Sequence, residues 1–155
     1  MPHSVLFVCL GNICRSPLAE AAFRREAARL GLEAEVDSAG TGDWHVGRPP
    51  DRRAIAVAAR NGVDISGQRA RQVSPSDFHR FDRIVALDSD NLAALERLRP
   101  PRAPAELSLL LDHVPGREGQ AVADPYYGED EQFDLSWSDV VEGAEALARK
   151  LAAPA

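Results

Sequence analysis

The chain has 155 residues, 45% hydrophobic and 27% charged, so one compact domain over 1–155 is expected and a disordered chain is excluded. A formal net charge of −6 and a pI near 5.2 argue against a general nucleic-acid binder, which would carry a basic excess. All of the 18 basic residues except Lys150 are arginine, a bias that suits bidentate contacts to phosphate but that an Ala- and Arg-rich genome produces equally well.

Ser4–Cys9 is almost continuously apolar and reads as a buried strand. Val5–Leu10 is the longest apolar run, far below the roughly 18 residues of a membrane span. It is also a poor signal peptide: no positive charge precedes it, Gly11-Asn12 breaks it and no small-residue cleavage site follows. From Pro17 onward, Leu18, Ala22, Phe23, Ala27 and Leu30 share one helical face, and Gly31 supplies the stop. Ala34–Ala39 is a second strand. Residues 41–50 form a loop, punctuated by Gly42, Gly47 and Pro49-Pro50.

A second helix is predicted over 51–61, closing at Gly62. Arg83–Leu87 is a third strand, followed by a helix over Ser89–Leu98 that stops at Pro100-Pro101. Leu107–Leu111 makes a fourth strand, and a long loop over 115–132 precedes the last helix. There Trp137, Val140, Val141, Ala144, Leu147, Ala148 and Leu151 make a stripe that reads as core packing. No repeat or linker divides the chain. Strands alternating with helices predict an α/β fold: a four-stranded parallel sheet covered by helices on both faces. In such a sheet the ligand site lies beyond the carboxyl ends of the strands, which points to Cys9 onward, Gly40 onward and the loop after the fourth strand.

At the first of these places stands Cys9-Leu10-Gly11-Asn12-Ile13-Cys14-Arg15-Ser16-Pro17. Ser16 is expected to cap the following helix, with Pro17 in its first position. A short loop here can aim backbone N–H groups and the positive end of the helix dipole at a tetrahedral oxyanion. Cys9 would lie beneath that anion as a thiolate nucleophile, favoured by the helix terminus and by a nearby arginine. Arg15 suits the clamp on the oxyanion, and the Ser16 hydroxyl suits a hydrogen bond to sulfur. The competing reading makes Cys9 a packed strand cysteine and Gly11-Asn12 an ordinary turn; Cys-x5-Arg alone arises by chance. Its position between an apolar strand and Ser-Pro favours the site.

Two cysteines build no disulfide framework, so a reducing, cytoplasmic setting is expected. No metal is expected either: Cys9 and Cys14 lack a companion pair, and His3, His45, His79 and His113 are scattered. Asp124 sits in the long loop between Ala123 and Pro125, where it serves either as an acid on a mobile segment or simply as the start of a turn.

The stretch Val5-Leu6-Phe7-Val8-Cys9-Leu10-Gly11-Asn12-Ile13-Cys14-Arg15-Ser16-Pro17-Leu18-Ala19-Glu20 resembles the signature of the low-molecular-weight protein tyrosine phosphatases. Asp124-Pro125-Tyr126-Tyr127-Gly128 resembles the family's general-acid loop, and Val36-Asp37-Ser38-Ala39-Gly40 and Ala70-Arg71-Gln72 match in the same order. The resemblance implies a single domain with strand order 2-1-3-4 and a phosphate-binding loop, Leu10 to Ser16, between strand 1 and helix 1. It implies metal-free, cofactor-free hydrolysis of phosphotyrosine in proteins or of small aryl phosphates. Cys9 would form a phosphocysteine, Arg15 would stabilise the transferring group, and Asp124 would act as acid and then as base. Inorganic phosphate, sulfate or vanadate would occupy the same loop. No nucleic acid or membrane partner is implied.

By the same resemblance Trp44 and Tyr126 wall the substrate pocket, and Asn12, Ser16 and Ser38 hold the loop in shape. Cys14 would trap oxidised Cys9 as a reversible disulfide, the alternative being a thiol that only fills space. His45 and Arg48 either meet acidic substrate segments or are solvated loop residues. Tyr126 and Tyr127 are phosphorylation targets in some relatives. One departure stands out: Gln68 occupies a place where many relatives carry histidine. It can still hydrogen-bond in support of the loop, but it cannot titrate.

The alternatives are set apart by specific residues. A thioredoxin-coupled arsenate reductase needs cysteines beyond Cys14, and there are none. Protein-arginine phosphatases tend to carry Thr where this chain has Ile13. A catalytically silent phosphate-binding module is disfavoured by Cys9, Arg15, Ser16 and Asp124 occurring together. A nucleotide-binding loop would need Gly-x-Gly-x-x-Gly or the Lys-Ser/Thr of a P-loop.

Overall fold

Val5, Leu6, Phe7, Val8 and Cys9 are all buried, because the strand they form has helices on both sides. The computed structural model describes residues 2–153. In chain order the elements are β1 (His3–Cys9), α1 (Arg15–Leu30), β2 (Ala34–Gly40), α2 (Arg52–Arg60), α3 (Asp77–Arg80), β3 (Arg83–Ala86), α4 (Ser89–Leu98) and β4 (Glu106–Leu109). A 3-10 turn, Leu110–His113, and α5 (Asp130–Ala152) complete them.

The four strands form one parallel sheet in the order β2-β1-β3-β4. Alternation along β1 divides the core in two. Val5 and Phe7 belong to the cluster with α1, α2 and α5, where Phe7 meets Phe23 at 5.6 Å between ring centroids. Leu6 and Val8 belong to the opposite cluster, with Ile84, Phe78, Phe81 and Leu95. Each such apolar side chain contributes about 1.5–3 kcal/mol when fully buried. The α5 stripe read from Trp137 to Leu151 lies in the first cluster.

The clearest differences from expectation are two boundaries and one element. α1 begins at Arg15, with Cys14 at the cap position and no side chain capping it, so Ser16 is not the N-cap. The Ser16 hydroxyl is engaged elsewhere, and Pro17 stands third in the helix, where a missing N–H is still harmless. The fourth strand ends at Leu109, because Leu110 and Leu111 turn into the 3-10 segment. Asp112 accepts from the Leu109 N–H at 3.0 Å, and Leu110 packs so closely on α5 that a Cβ at Gly143 would collide with it. The third difference is α3, a single turn missed because four residues carry no readable periodicity.

Asp51 caps α2 by accepting from the Arg53 N–H at 2.8 Å, and Asp88 caps α4 from the Asn91 N–H at 2.7 Å. Both caps follow loops at the carboxyl edge of the sheet. Among the described residues no helix is long and apolar enough to cross a membrane.

Candidate active site

The β1–α1 turn makes a tight loop because β2 lets it lie close. Cys9 pairs with Gly40 in register, and a Cβ on Gly40 would stand 2.8 Å from the Leu10 carbonyl oxygen. The N–H groups of Thr41 and Gly42 donate to the carbonyls of Cys9 and Leu10, both at 2.9 Å. Asn12 takes a left-handed φ of 57°, a conformation asparagine tolerates better than most residues. Its side chain then becomes the keystone of the loop. Nδ2 donates to Ser16 Oγ at 2.8 Å and to Ser38 Oγ at 3.0 Å, while Oδ1 accepts from the Arg71 N–H at 3.0 Å. Ser38 donates onward to Glu20 Oε1 at 2.8 Å. Ser16 Oγ lies 3.0 Å from Cys9 Sγ.

Arg15 is 2% exposed. Its Nη1 donates to Asp88 Oδ2 at 2.7 Å and to the Val122 carbonyl at 2.9 Å, and its Nη2 lies 3.5 Å from Asp124 Oδ2. Burial works against its charge, but the neighbouring Cys9, Asp88 and Asp124 outweigh burial and hold the guanidinium ionised. The Cys14 thiol is pushed well above the ordinary thiol range, chiefly by burial, then by the charges of Cys9, Asp51 and Asp124.

These groups meet in a cleft of about 430 Å³. Its buried members are Cys9, Ile13, Cys14 and Arg15; its outer members are Leu10, Gly11, Trp44, His45, Asp124, Tyr126 and Tyr127. Trp44 is 69% exposed and Tyr127 97% exposed, so both stand at the rim; Trp44 lies so close to Gly42 that a Cβ there would collide with its ring, and Tyr127 meets the Tyr126 ring edge-on at 4.9 Å between centroids. His45 leans on the loop, since a Cβ on Gly11 would lie 2.9 Å from its Cδ2. Among the described residues no cluster of three His, Cys, Asp or Glu side chains is placed to hold a metal ion.

Residues 4–154 match the sequence model of the family described as low molecular weight phosphotyrosine protein phosphatase. The chain belongs to this family. It is 43% identical over 151 residues to the low molecular weight phosphotyrosine protein phosphatase of Schizosaccharomyces pombe, covering 96% of each chain. Its fold matches the solved structure of the low molecular weight phosphatase YfkJ of Bacillus subtilis with a TM-score of 0.88 and 42% identity, over 97% of this chain and 94% of that one. The protein tyrosine phosphatase of Entamoeba histolytica, solved with Hepes in its active site, matches with a TM-score of 0.90 and 35% identity, over 96% of both chains. As a low molecular weight phosphotyrosine phosphatase the chain is a cysteine-based hydrolase.

In this phosphatase Cys9, Arg15, Asp124, Trp44 and Tyr126 converge on one cleft, and Asn12, Ser16 and Ser38 form one hydrogen-bonded set beneath it. Gln68 stands apart from that set. Its Nε2 donates to the Pro17 carbonyl at 3.3 Å, and its buried Oε1 has no hydrogen-bond partner among the described residues, so it braces the first turn of α1 rather than Asn12 or Ser38. The far end of the network is Glu20 instead, a carboxylate that sequence reasoning passed over although it closes the signature stretch. Its visible signal was an acid on the buried face of α1, four residues after Ser16. Asp88 was missed as well. An acidic cap just after a strand at the carboxyl edge of a parallel sheet is the signal that would have found it.

Proposed function

We propose that the described chain, acting as one catalytic domain, hydrolyses phosphotyrosine or small aryl phosphates in two displacements at phosphorus. The observation that carries this is the convergence of Cys9 Sγ, the buried Arg15 guanidinium and Asp124 in one aromatic-rimmed cleft. In the first step Cys9 sulfur bonds to phosphorus, the bond to the tyrosyl oxygen breaks, and protonated Asp124 gives that oxygen its proton. In the second, Asp124 takes a proton from water, the water oxygen bonds to phosphorus, and the S–P bond breaks to release phosphate.

The hydrogen-bond network beneath the loop can aim the Ser16 O–H at Cys9 sulfur. Ser38 spends its single O–H on Glu20 and accepts from Asn12. Asn12 uses its second N–H on Ser16, whose own O–H has two acceptors in reach, Cys9 sulfur at 3.0 Å and the Ala39 carbonyl at 3.5 Å, and the shorter contact is the one to sulfur. Arg15 and the loop amides carry the charge of the transferring phosphoryl group, which makes metal assistance unnecessary. Phosphate, sulfate and vanadate are the oxyanions we expect the loop to hold. Trp44 and Tyr126 receive the phenyl ring, each stacked pair contributing about 0.5–1.5 kcal/mol beyond area burial. Ile13 offers no hydroxyl in the cleft, which favours an aryl ester over a phosphoguanidinium.

Both cysteines are free and buried and both line the cleft, which supports a reducing cytoplasm and Cys14 as the partner for an oxidised Cys9. The test of the reading is phosphate release from a phosphotyrosine peptide in EDTA by wild type and by Cys9→Ser. Turnover that survives EDTA and vanishes in the variant supports it. Absence of wild-type turnover, with release from a phosphoarginine peptide instead, would overturn it.

A further inference from the structure

The segment carrying Asp124 has few tethers of its own. Its internal hydrogen bonds are local: the Tyr126 N–H donates to Asp124 Oδ1 at 3.1 Å, and the Gly128 N–H to the Pro125 carbonyl at 2.9 Å. Among the described residues, one side chain from outside donates to its backbone between Asp124 and Gly128. That side chain is Arg53, whose Nη2 donates to the Tyr126 carbonyl at 2.8 Å and whose Nη1 donates to the Gly128 carbonyl at 2.9 Å.

Arg53 is itself pinned. Nε and Nη2 donate to the two oxygens of Asp51, each at 3.0 Å, and the guanidinium lies 4.6 Å from the centroid of the Phe133 ring. The Asp51 N–H in turn donates to the Ile13 carbonyl at 2.8 Å. Two residues at the start of α2 therefore join the phosphate-binding loop to the acid loop. An ordinary exposed ion pair does little for stability, but a planar fork spanning two carbonyls and a carboxylate fixes geometry.

We propose that Arg53 is a positioning residue for the general acid: it clasps the Tyr126 and Gly128 carbonyls so that Asp124 stays within reach of the leaving oxygen. The inference rests on Asp124 being that acid. Proton donation requires hydrogen-bond reach in the transition state, and a misplacement of about 1 Å costs on the order of 10²-fold in rate.

The test is kcat/KM across aryl phosphates whose phenols span a wide range of acidity, for wild type, Arg53→Ala, Arg53→Lys and Asp124→Asn. With the acid in place the dependence on leaving-group basicity is shallow; without it, steep. Arg53→Ala is expected to steepen it part of the way towards Asp124→Asn, losing about 10-fold on phenyl phosphate and much less on the most acidic phenol. Arg53→Lys, which cannot span both carbonyls and Asp51, should fall between Arg53→Ala and wild type. A wild-type slope in Arg53→Ala, whatever its overall rate, would overturn the proposal while leaving the acid standing. Full restoration of the wild-type slope by Arg53→Lys would overturn the clasp in favour of charge alone. An unchanged slope in Asp124→Asn would overturn the acid assignment and this inference with it. If Arg53→Ala does not fold, Arg53→Lys and Asp51→Asn carry the same comparison, each expected to be steeper than wild type.

Discussion

Arg15 Nη1 donates to Asp88 Oδ2 at 2.7 Å, and 73 residues of chain separate the two. The pairing comes about because β1 and β3 are neighbours in the sheet, so the loops leaving their carboxyl ends meet. It aims a buried cation at the cleft while keeping it from an uncompensated desolvation. Asp88→Asn keeps an oxygen to cap α4 but removes the charge. Hydrogen bonds to charged groups are worth about 1.5–3 kcal/mol, so Asp88→Asn should lower stability by about that much and, with the aim of Arg15 relaxed, lower kcat at least about tenfold. Asp88→Ala should lose the cap as well, at about 1 kcal/mol of stability. Steady-state kinetics beside thermal unfolding separate the two effects.

Gln68 has no group that titrates, and its bond to the Pro17 carbonyl is the same at every pH. Gln68→His should therefore introduce an ionisation near pH 6.5, adjacent to the first turn of α1, that wild type lacks. It is read as a new inflection in kcat/KM between about pH 5.5 and 7.5. Superimposable pH–rate profiles for the two proteins would show that position 68 is electrically silent toward the site.

Cys14 is expected to guard Cys9. Peroxide converts the Cys9 thiolate to sulfenic acid; Cys14 sulfur then attacks, the S–S bond forms and water leaves. Because burial and nearby negative charge hold the Cys14 thiol up, closure should be faster at pH 9 than at pH 7. Wild type treated with peroxide should recover its activity in dithiothreitol, and Cys14→Ala should lose a growing irreversible fraction. Full recovery of the variant would leave Cys14 as a packing residue only.

The Asp51 carboxyl ties the clasp to acid stability. Burial pushes its pKa upward, but the side-chain and backbone hydrogen bonds from Arg53 and that residue's charge hold it below the usual carboxylate value of 3.8. A folded-state value below the unfolded one means that the contribution is fully present above about pH 4 and is lost as pH falls through the lower folded value. The difference in Tm between wild type and Asp51→Asn should accordingly be constant from about pH 5 to 7 and shrink in more acid solution. A difference that grows as pH falls would reverse the sign of the assignment.

Much of the site was legible in the chain because its chemistry is local. Cys9, Asn12, Arg15 and Ser16 fall within one strand-to-helix turn, and such a turn ends at the carboxyl edge of any parallel α/β sheet. Hydrophobic periodicity likewise placed α1 and α5 to within a few residues, because buried faces repeat with the helical period, while the stops at Gly62 and Pro100-Pro101 bounded α2 and α4. It could not show that Ser16 would give up capping. That outcome depends on Asn12 Nδ2 and Cys9 Sγ both lying within about 3 Å of its hydroxyl, as they do only once β2 has brought Ser38 and Gly40 alongside.

Tertiary structure alone decided the partners. Asp88 and the Val122 carbonyl reach Arg15 across crossovers of 73 and 107 residues, and Arg53 reaches the Tyr126 and Gly128 carbonyls across 73 and 75. Glu20 becomes the terminus of the Asn12–Ser38 network because α1 packs beside β2. A sequence specifies its own turns through short-range sterics and hydrogen bonding. Which distant carboxylate or carbonyl meets a given arginine follows from strand order and close packing, and those exist only in the folded chain.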